Sequence, residues 1–193
     1  MNREPPTVER GQGAQVGLDL EGGKICSMKL VGFAFFKPNS FFGWMIVLGH
    51  FLKGKGLGPY SHVEIYAPER TIVDQTGVKR YSCFSSYEGD GGVRAKLIAL
   101  DKAGATRVEF EVDDTKLIAA WGWALTQLDL AYGWREIRGF MLPWRVGKPE
   151  TWICSEICAE FAKRVGLVPL ATRCERVSPS GLWEMLNPPW DGK

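Results

Sequence analysis

Two short stretches carry side chains of the types that nucleophilic chemistry needs: Trp152-Ile153-Cys154-Ser155-Glu156 and Tyr60-Ser61-His62-Val63-Glu64-Ile65-Tyr66. Cys154 stands where a loop is expected to become a helix, and the N–H groups and dipole of a helix N-terminus favour a thiolate. A thiolate becomes an acyl-transfer nucleophile when a neighbouring base moves the proton and a third polar group orients that base. The chain has two histidines. His50 lies inside an apolar run and is expected to pack or to face solvent, which leaves His62 as the base.

Asp74 is expected as the third member. If Ala67 to Glu69 form a three-residue loop, the strand after it returns antiparallel and sets Asp74 opposite His62, with Cβ atoms about 4.5–5.5 Å apart. A two-residue loop would set Gln75 there instead. Glu64 shares a face with His62 on an undistorted strand and can compete for the orienting role, although a solvated strand carboxylate is the plainer expectation. The Cys154 N–H can form part of an oxyanion hole, with a second donor guessed at Tyr60 or Ser61. Glu156, one turn into the helix, is expected to complement its dipole or to buttress the site. Cys158 is expected to pack, because an i,i+4 pair on a helix is poorly placed for a disulfide. On spacing alone these readings compete with plainer ones, since a buried cysteine is usually a small hydrophobe.

The elements that must position these residues follow from pattern and punctuation. Lys29 to Phe36 reads as a buried strand, and Phe41 to Leu52 as an apolar helix, with Ser40 as its cap, that can also form a hydrophobic wall or a membrane-facing edge. Gly54 to Pro59 is a connector. Tyr60 to Tyr66 and Thr71 to Asp74 read as paired strands around a turn at Ala67 to Arg70. Tyr87 to Val93 is a loop without a phosphate-binding glycine pattern. Strands follow at Arg94–Leu100 and Thr106–Val112. Asp113 or Asp114 then caps a helix reaching about Leu128, with Leu117, Ala120, Trp121, Ala124 and Leu128 inward. A short helix is expected over Trp134–Met141, the Cys154 helix runs to Val165 with Gly166 as its stop, and a last helix spans Gly181–Leu186.

Composition bounds the rest. With 193 residues, 45% of them apolar, the chain suits a polar tail over residues 1–27 and one domain over residues 28–193. A net charge of +2 gives no argument for nucleic acid. Five cysteines at irregular spacing, with no signal-peptide pattern, favour free thiols and a cytoplasmic setting. No metal is expected, because zinc-type Cys/His spacing is missing. No cofactor motif is evident. A twelve-residue apolar run is too short for a bilayer, which takes about 20 residues.

Tyr60-Ser61-His62-Val63-Glu64-Ile65-Tyr66, a carboxylate at Asp74, and a later Trp152-Ile153-Cys154-Ser155-Glu156 together resemble the circularly permuted branch of the NlpC-type papain-like superfamily. That branch includes bacterial YiiX-like proteins, relatives of lecithin retinol acyltransferase and many phage-encoded proteins. Tyr132-Gly133-Trp134, Gly139-Phe140 and Ser178-Pro179-Ser180-Gly181-Leu182 look like its phage and bacterial members, so the resemblance spans about Met28 to Leu186. It implies an α+β, permuted papain-like fold: an antiparallel sheet packed on helices, with the nucleophile helix near the C-terminus. It implies a cysteine peptidase or amidase with Cys154 as nucleophile, His62 as base and Asp74 as third residue. Cell-wall peptides are one implied substrate class, and lipid-type acyl transfer or thioester cleavage, with peripheral membrane contact, is another. Two other readings stand beside it: a virion or host-interaction protein that keeps the fold without using the chemistry, and a redox protein using Cys154 and Cys158.

Overall fold

The computed structural model describes residues 27–39, 41–52, 58–134 and 151–187. The expected tail, the Ser40 cap, most of the Gly54–Pro59 connector, the helix at 134–141 apart from Trp134, and the side chain of His50 lie outside them. The architecture is α+β. One mixed sheet runs in the order β5-β1-β2-β3-β4-β6-β7. Its strands are β1 (Met28–Phe36), β2 (His62–Val73), β3 (Lys79–Tyr87), β4 (Gly92–Ile98), β5 (Thr106–Asp113), β6 (Ala131–Tyr132) and β7 (Thr151–Trp152). All pairings are antiparallel except the short β6–β7 pair, which is parallel. Among the described residues four α-helices accompany it: α1 (Phe41–Leu52), α2 (Asp114–Thr126), α3 (Cys154–Arg164) and α4 (Pro179–Leu186).

β1 is a central strand buried on both faces, which is why its sequence is a continuous apolar run rather than an alternating one. Phe33, Phe35, Val63, Ile65 and Phe84 pack against Leu117, Ala120 and Ala124 of α2 and Ile157 and Phe161 of α3. On the other side Ala34, Tyr66, Tyr81, Cys83 and Leu100 form a second, smaller cluster. Gly32 makes room there: a Cβ at this position would lie 2.2 Å from Cζ of Tyr66. The Tyr66 hydroxyl can thus lie across β1 and donate to Glu109 Oε1 at 2.7 Å.

The expected hairpin around residues 67–70 does not form. β2 continues through Pro68 to Val73, with a register shift between Tyr66 and Thr71. Proline lacks the N–H a ladder needs but is tolerated at such an irregularity. The chain turns instead at Asp74-Gln75-Thr76-Gly77. The Asp74 carboxylate accepts from the N–H groups of Thr76 at 2.9 Å and Val78 at 3.1 Å, and Gly77 takes a left-handed φ of 77°. The returning strand is β3, which the apolar pattern does not announce. It pairs Ile65 with Phe84 and Tyr66 with Cys83.

α2 begins where expected, its cap Asp113 accepting from the Lys116 N–H at 3.0 Å. α3 ends at a left-handed Gly166 whose N–H and that of Leu167 close onto Lys163 and Ala162 carbonyls. Ser178 caps α4 by accepting from the Gly181 N–H at 3.0 Å. Among the described residues, no helix is long and apolar enough to cross a membrane.

Candidate active site

Cys154 is the first residue of α3, and four contacts fix its approach. The Trp152 carbonyl accepts from Ser86 Oγ at 2.6 Å and from the Gly133 N–H at 3.0 Å. The Trp152 indole donates to Gln127 Oε1 at 3.0 Å. Glu156 reaches back to the Ile153 N–H at 3.5 Å, the buttressing expected of it. Ser155 donates to the Val177 carbonyl at 2.7 Å, tying the first turn to the chain that follows. The N–H groups of this first turn have no acceptor within the helix and point past its end, as helix geometry requires.

His62 opens β2, and the side chain is 18% exposed. Its ring is flanked by Phe36 at 5.6 Å and Tyr87 at 5.3 Å between centroids. Nε2 lies 2.7 Å from Glu64 Oε1. Cys154 lies close enough to the ring to influence its titration, and with Nε2 committed to Glu64 the ring nitrogen open to a further partner is Nδ1. Burial alone would lower the imidazole pKa. The charge of Cys154, the hydrogen bond to it and then Glu64 outweigh that and raise it to about 10.

Glu64 is therefore the carboxylate that orients His62. It is 1% exposed, not the solvated strand residue expected. It is held by Arg94, whose Nη1 donates to Oε2 at 2.7 Å and Nη2 to Oε1 at 2.5 Å. Burial would raise the Glu64 pKa, but the two bonds from Arg94 and then the contact with His62 hold it below its ordinary value. Arg94 Nε turns the other way and donates to Asp90 at 2.9 Å. The result is a continuous line of polar contacts, Asp90, Arg94, Glu64 and His62, with Cys154 near its end.

Asp74 is not part of it. It follows the far end of β2, where its carboxylate takes Thr76, Val78 and Arg80, the last at 2.8 Å. These bonds, the Thr76 hydroxyl first, hold its pKa well below the ordinary carboxylate value. Gln75 lies exposed in the same turn. The residue facing His62 from β1 is Phe36. The backbone N–H groups of the two guessed oxyanion donors are occupied: that of Tyr60 by Ser180 Oγ at 3.1 Å and that of Ser61 by the Phe36 carbonyl at 3.0 Å. The Tyr60 ring is packed between Phe35 and Trp183.

Cys158 is fully buried. Its sulfur lies 3.6 Å from the Val63 carbonyl and 3.9 Å from Ser85 Oγ, and burial pushes its pKa well above that of a free thiol. Tyr132 was not anticipated. It is 4% exposed, and burial together with the charge of Cys154 raises its phenol pKa, so a neutral hydroxyl stays in the neighbourhood of Cys154. Only the Tyr132-Gly133-Trp134 turn marked this stretch in the sequence. Among the described residues there is no group of three or more potential metal ligands. No family model, curated protein or solved structure matches the chain.

Proposed function

We propose that this chain is a cysteine hydrolase of the permuted papain-like, NlpC-type kind, acting through a covalent acyl-enzyme with Cys154, His62 and Glu64. The observation that supports this reading is a His62 ring held at Nε2 by buried Glu64, with Cys154 near enough to raise its pKa. A reactive thiol needs a proton acceptor beside it and a fixed ring orientation, and both are supplied by buried, hydrogen-bonded groups.

In this mechanism the Cys154 thiol passes its proton to Nδ1 of His62. The sulfur attacks a carbonyl carbon, and charge on the carbonyl oxygen is met by the Cys154 N–H at the start of α3. As the tetrahedral adduct collapses, Nδ1 gives its proton to the departing amine or alcohol, leaving an S-acyl thioester. The neutral imidazole then takes a proton from water, the resulting hydroxide attacks the thioester, and the carboxylic acid leaves as the thiolate re-forms. Glu64 accepts from Nε2–H throughout, which holds the ring and favours its cation. Amide bonds, cell-wall peptides among them, are the substrates the family resemblance implies; acceptance of a lipid or alcohol by the same acyl-enzyme would make it an acyltransferase. The redox reading is less favoured, since the Cys158 sulfur is engaged with the Val63 carbonyl and the Ser85 hydroxyl.

Acetyl transfer from p-nitrophenyl acetate tests the reading. Mass spectrometry is expected to find the acetyl group on Cys154, with turnover abolished in His62→Ala. Acetylation of Cys154 no faster than of Cys174, and indifferent to His62, would leave a packing protein with an unused thiol.

A further inference from the structure

A cleft of about 570 Å³ borders the His62 ring, between the end of β1, strands β3 and β4, and the turn at 99–105. That volume lies within the range of small-ligand sites, about 300–1,000 Å³. His62, Glu64 and Tyr87 share its wall with Phe36, Leu97 and Ile98, so the cleft reaches the His62–Glu64 pair, while Cys154 lies outside its lining.

Its charge is lopsided. Five cations line it: Lys37, Arg80, Arg94, Lys96 and Lys102. Three are matched. Arg80 pairs with Asp74 at 2.8 Å, Arg94 with Glu64, and Lys96 with Asp90 at 3.1 Å. Lys37 and Lys102 have no carboxylate partner among the described residues and are exposed. Lys37 directly follows Phe36, the ring stacked beside His62. Lys102 sits on a turn anchored by the fully buried Leu100 and closed by the Ala103 N–H on the Ala99 carbonyl at 3.0 Å. Both unmatched charges are thus carried at the cleft by ordered backbone. Cations gathered in a concave site repel one another and raise the local concentration of anions. A lysine ammonium serves carboxylate and phosphate alike, as a point charge.

We infer that this cleft is the subsite for an anionic group of the substrate, a carboxylate or a phosphate, held by Lys37 and Lys102 while the scissile carbonyl lies at Cys154. As a substrate subsite it rests on Cys154 being the nucleophile; as an anion site it stands on the cleft alone. Phe36, Leu97 and Ile98 accommodate the carbon spacer between the anion and the reacting bond. The substrate class narrows to acidic acyl compounds or acidic peptides.

Two measurements on the full chain test this separately from the nucleophile. First, the α-amides of N-acetylglutamate and N-acetyl-O-phosphoserine, and the neutral α-amide of N-acetylglutamine, are titrated at low salt and followed by NMR. The two anions, unlike glutamine, should shift the amides of Phe36, Lys102 and Ala103, and the response should vanish in Lys37→Gln/Lys102→Gln. The tighter of the two distinguishes a carboxylate from a phosphate ligand. Second, Cys154 is alkylated by the chloroacetyl derivatives of the same three compounds. The anionic reagents should react about tenfold faster than the neutral one, a preference lost in the double lysine variant and at high salt. The neutral rate should stay unchanged in that variant. No anion-specific shifts, with equal alkylation rates for all three reagents, would overturn the subsite while leaving the nucleophile intact. Anion-specific shifts with a Cys154 no more reactive than Cys174 would keep the anion site and overturn the hydrolase reading.

Discussion

Arg94 clasps Glu64 with both Nη atoms, at 2.7 and 2.5 Å, from a strand two places away in the sheet. The carboxylate is 1% exposed and the guanidinium side chain 15%. Bidentate geometry is what makes a buried pair of this kind tolerable, because each oxygen and each donor is satisfied. It also leaves Oε1 shared between Arg94 and His62, so the orienting group of the imidazole is itself oriented.

Breaking that clasp is expected to be costly. Arg94→Met strands a buried carboxylate and should destabilise the fold by about 3–5 kcal/mol, while Glu64→Gln/Arg94→Met together should recover much of it. Urea unfolding of the two single variants and the double variant measures the coupling. Additive losses would show that the pair contributes no coupling.

The orienting carboxylate is identified by a matched comparison. Glu64→Gln keeps the shape of the side chain and should slow Cys154 acetylation on the order of a hundredfold or more. Asp74→Asn loosens the turn after β2 and should lower thermal stability slightly, with the acetylation rate unchanged. Rates are compared on variants whose circular dichroism matches the parent. The reverse ranking would return the role to Asp74.

The raised pKa of His62 has a defined sign. A folded value of about 10 against an ordinary 6.5 means the imidazolium stabilises the fold fully below pH 6.5, and that contribution is lost as pH rises through about 10. Glu64 acts in the opposite direction: its contribution is present above its ordinary 4.5 and is lost as pH falls below that value. NMR titration of the His62 ring should therefore show little deprotonation at pH 8. Cys154→Ala removes the strongest of the influences that raise the value, and the midpoint should drop. A midpoint that stays put would mean the sulfur and the ring do not interact.

Thiol labelling should be selective. Burial raises Cys83 to about 12 and Cys174 to about 11, and Cys158 is raised as well. With iodoacetamide at pH 8, peptide mapping should find Cys154 modified ahead of these three, and Cys158→Ala should leave its rate unchanged. Equal labelling across the described cysteines would remove the basis for a nucleophile.

What the sequence made legible was local. Cys154 stood out because a loop-to-helix junction can be read from its own neighbours, and His62 because the strand around it alternates. Glu64 was visible only as a residue sharing a face with His62, since burial depends on what covers that face. The cover is Arg94, 30 residues further on, and its arrival depends on β3 lying between the two strands. β3 hid because its interior includes Ser85 and Ser86, both fully buried and satisfied by the Val63 and Trp152 carbonyls. Small hydroxyl residues meet a buried position without an apolar signal. Missing that strand made the nearer segment Thr71–Asp74 look like the partner of His62, and Pro68 look like a turn.

Ser180 both donates to the Tyr60 carbonyl, at 3.2 Å, and accepts from its N–H, at 3.1 Å, across 120 residues of chain. Strand β2 begins directly after this grip, and α3 is tied to the same late segment through Ser155 and Val177. On a ribosome adding about 5–20 residues per second, the sheet from β1 to β5 is made several seconds before either anchor emerges. His62 and Glu64 are thus synthesised well before the segment that anchors the start of β2 and the first turn of α3.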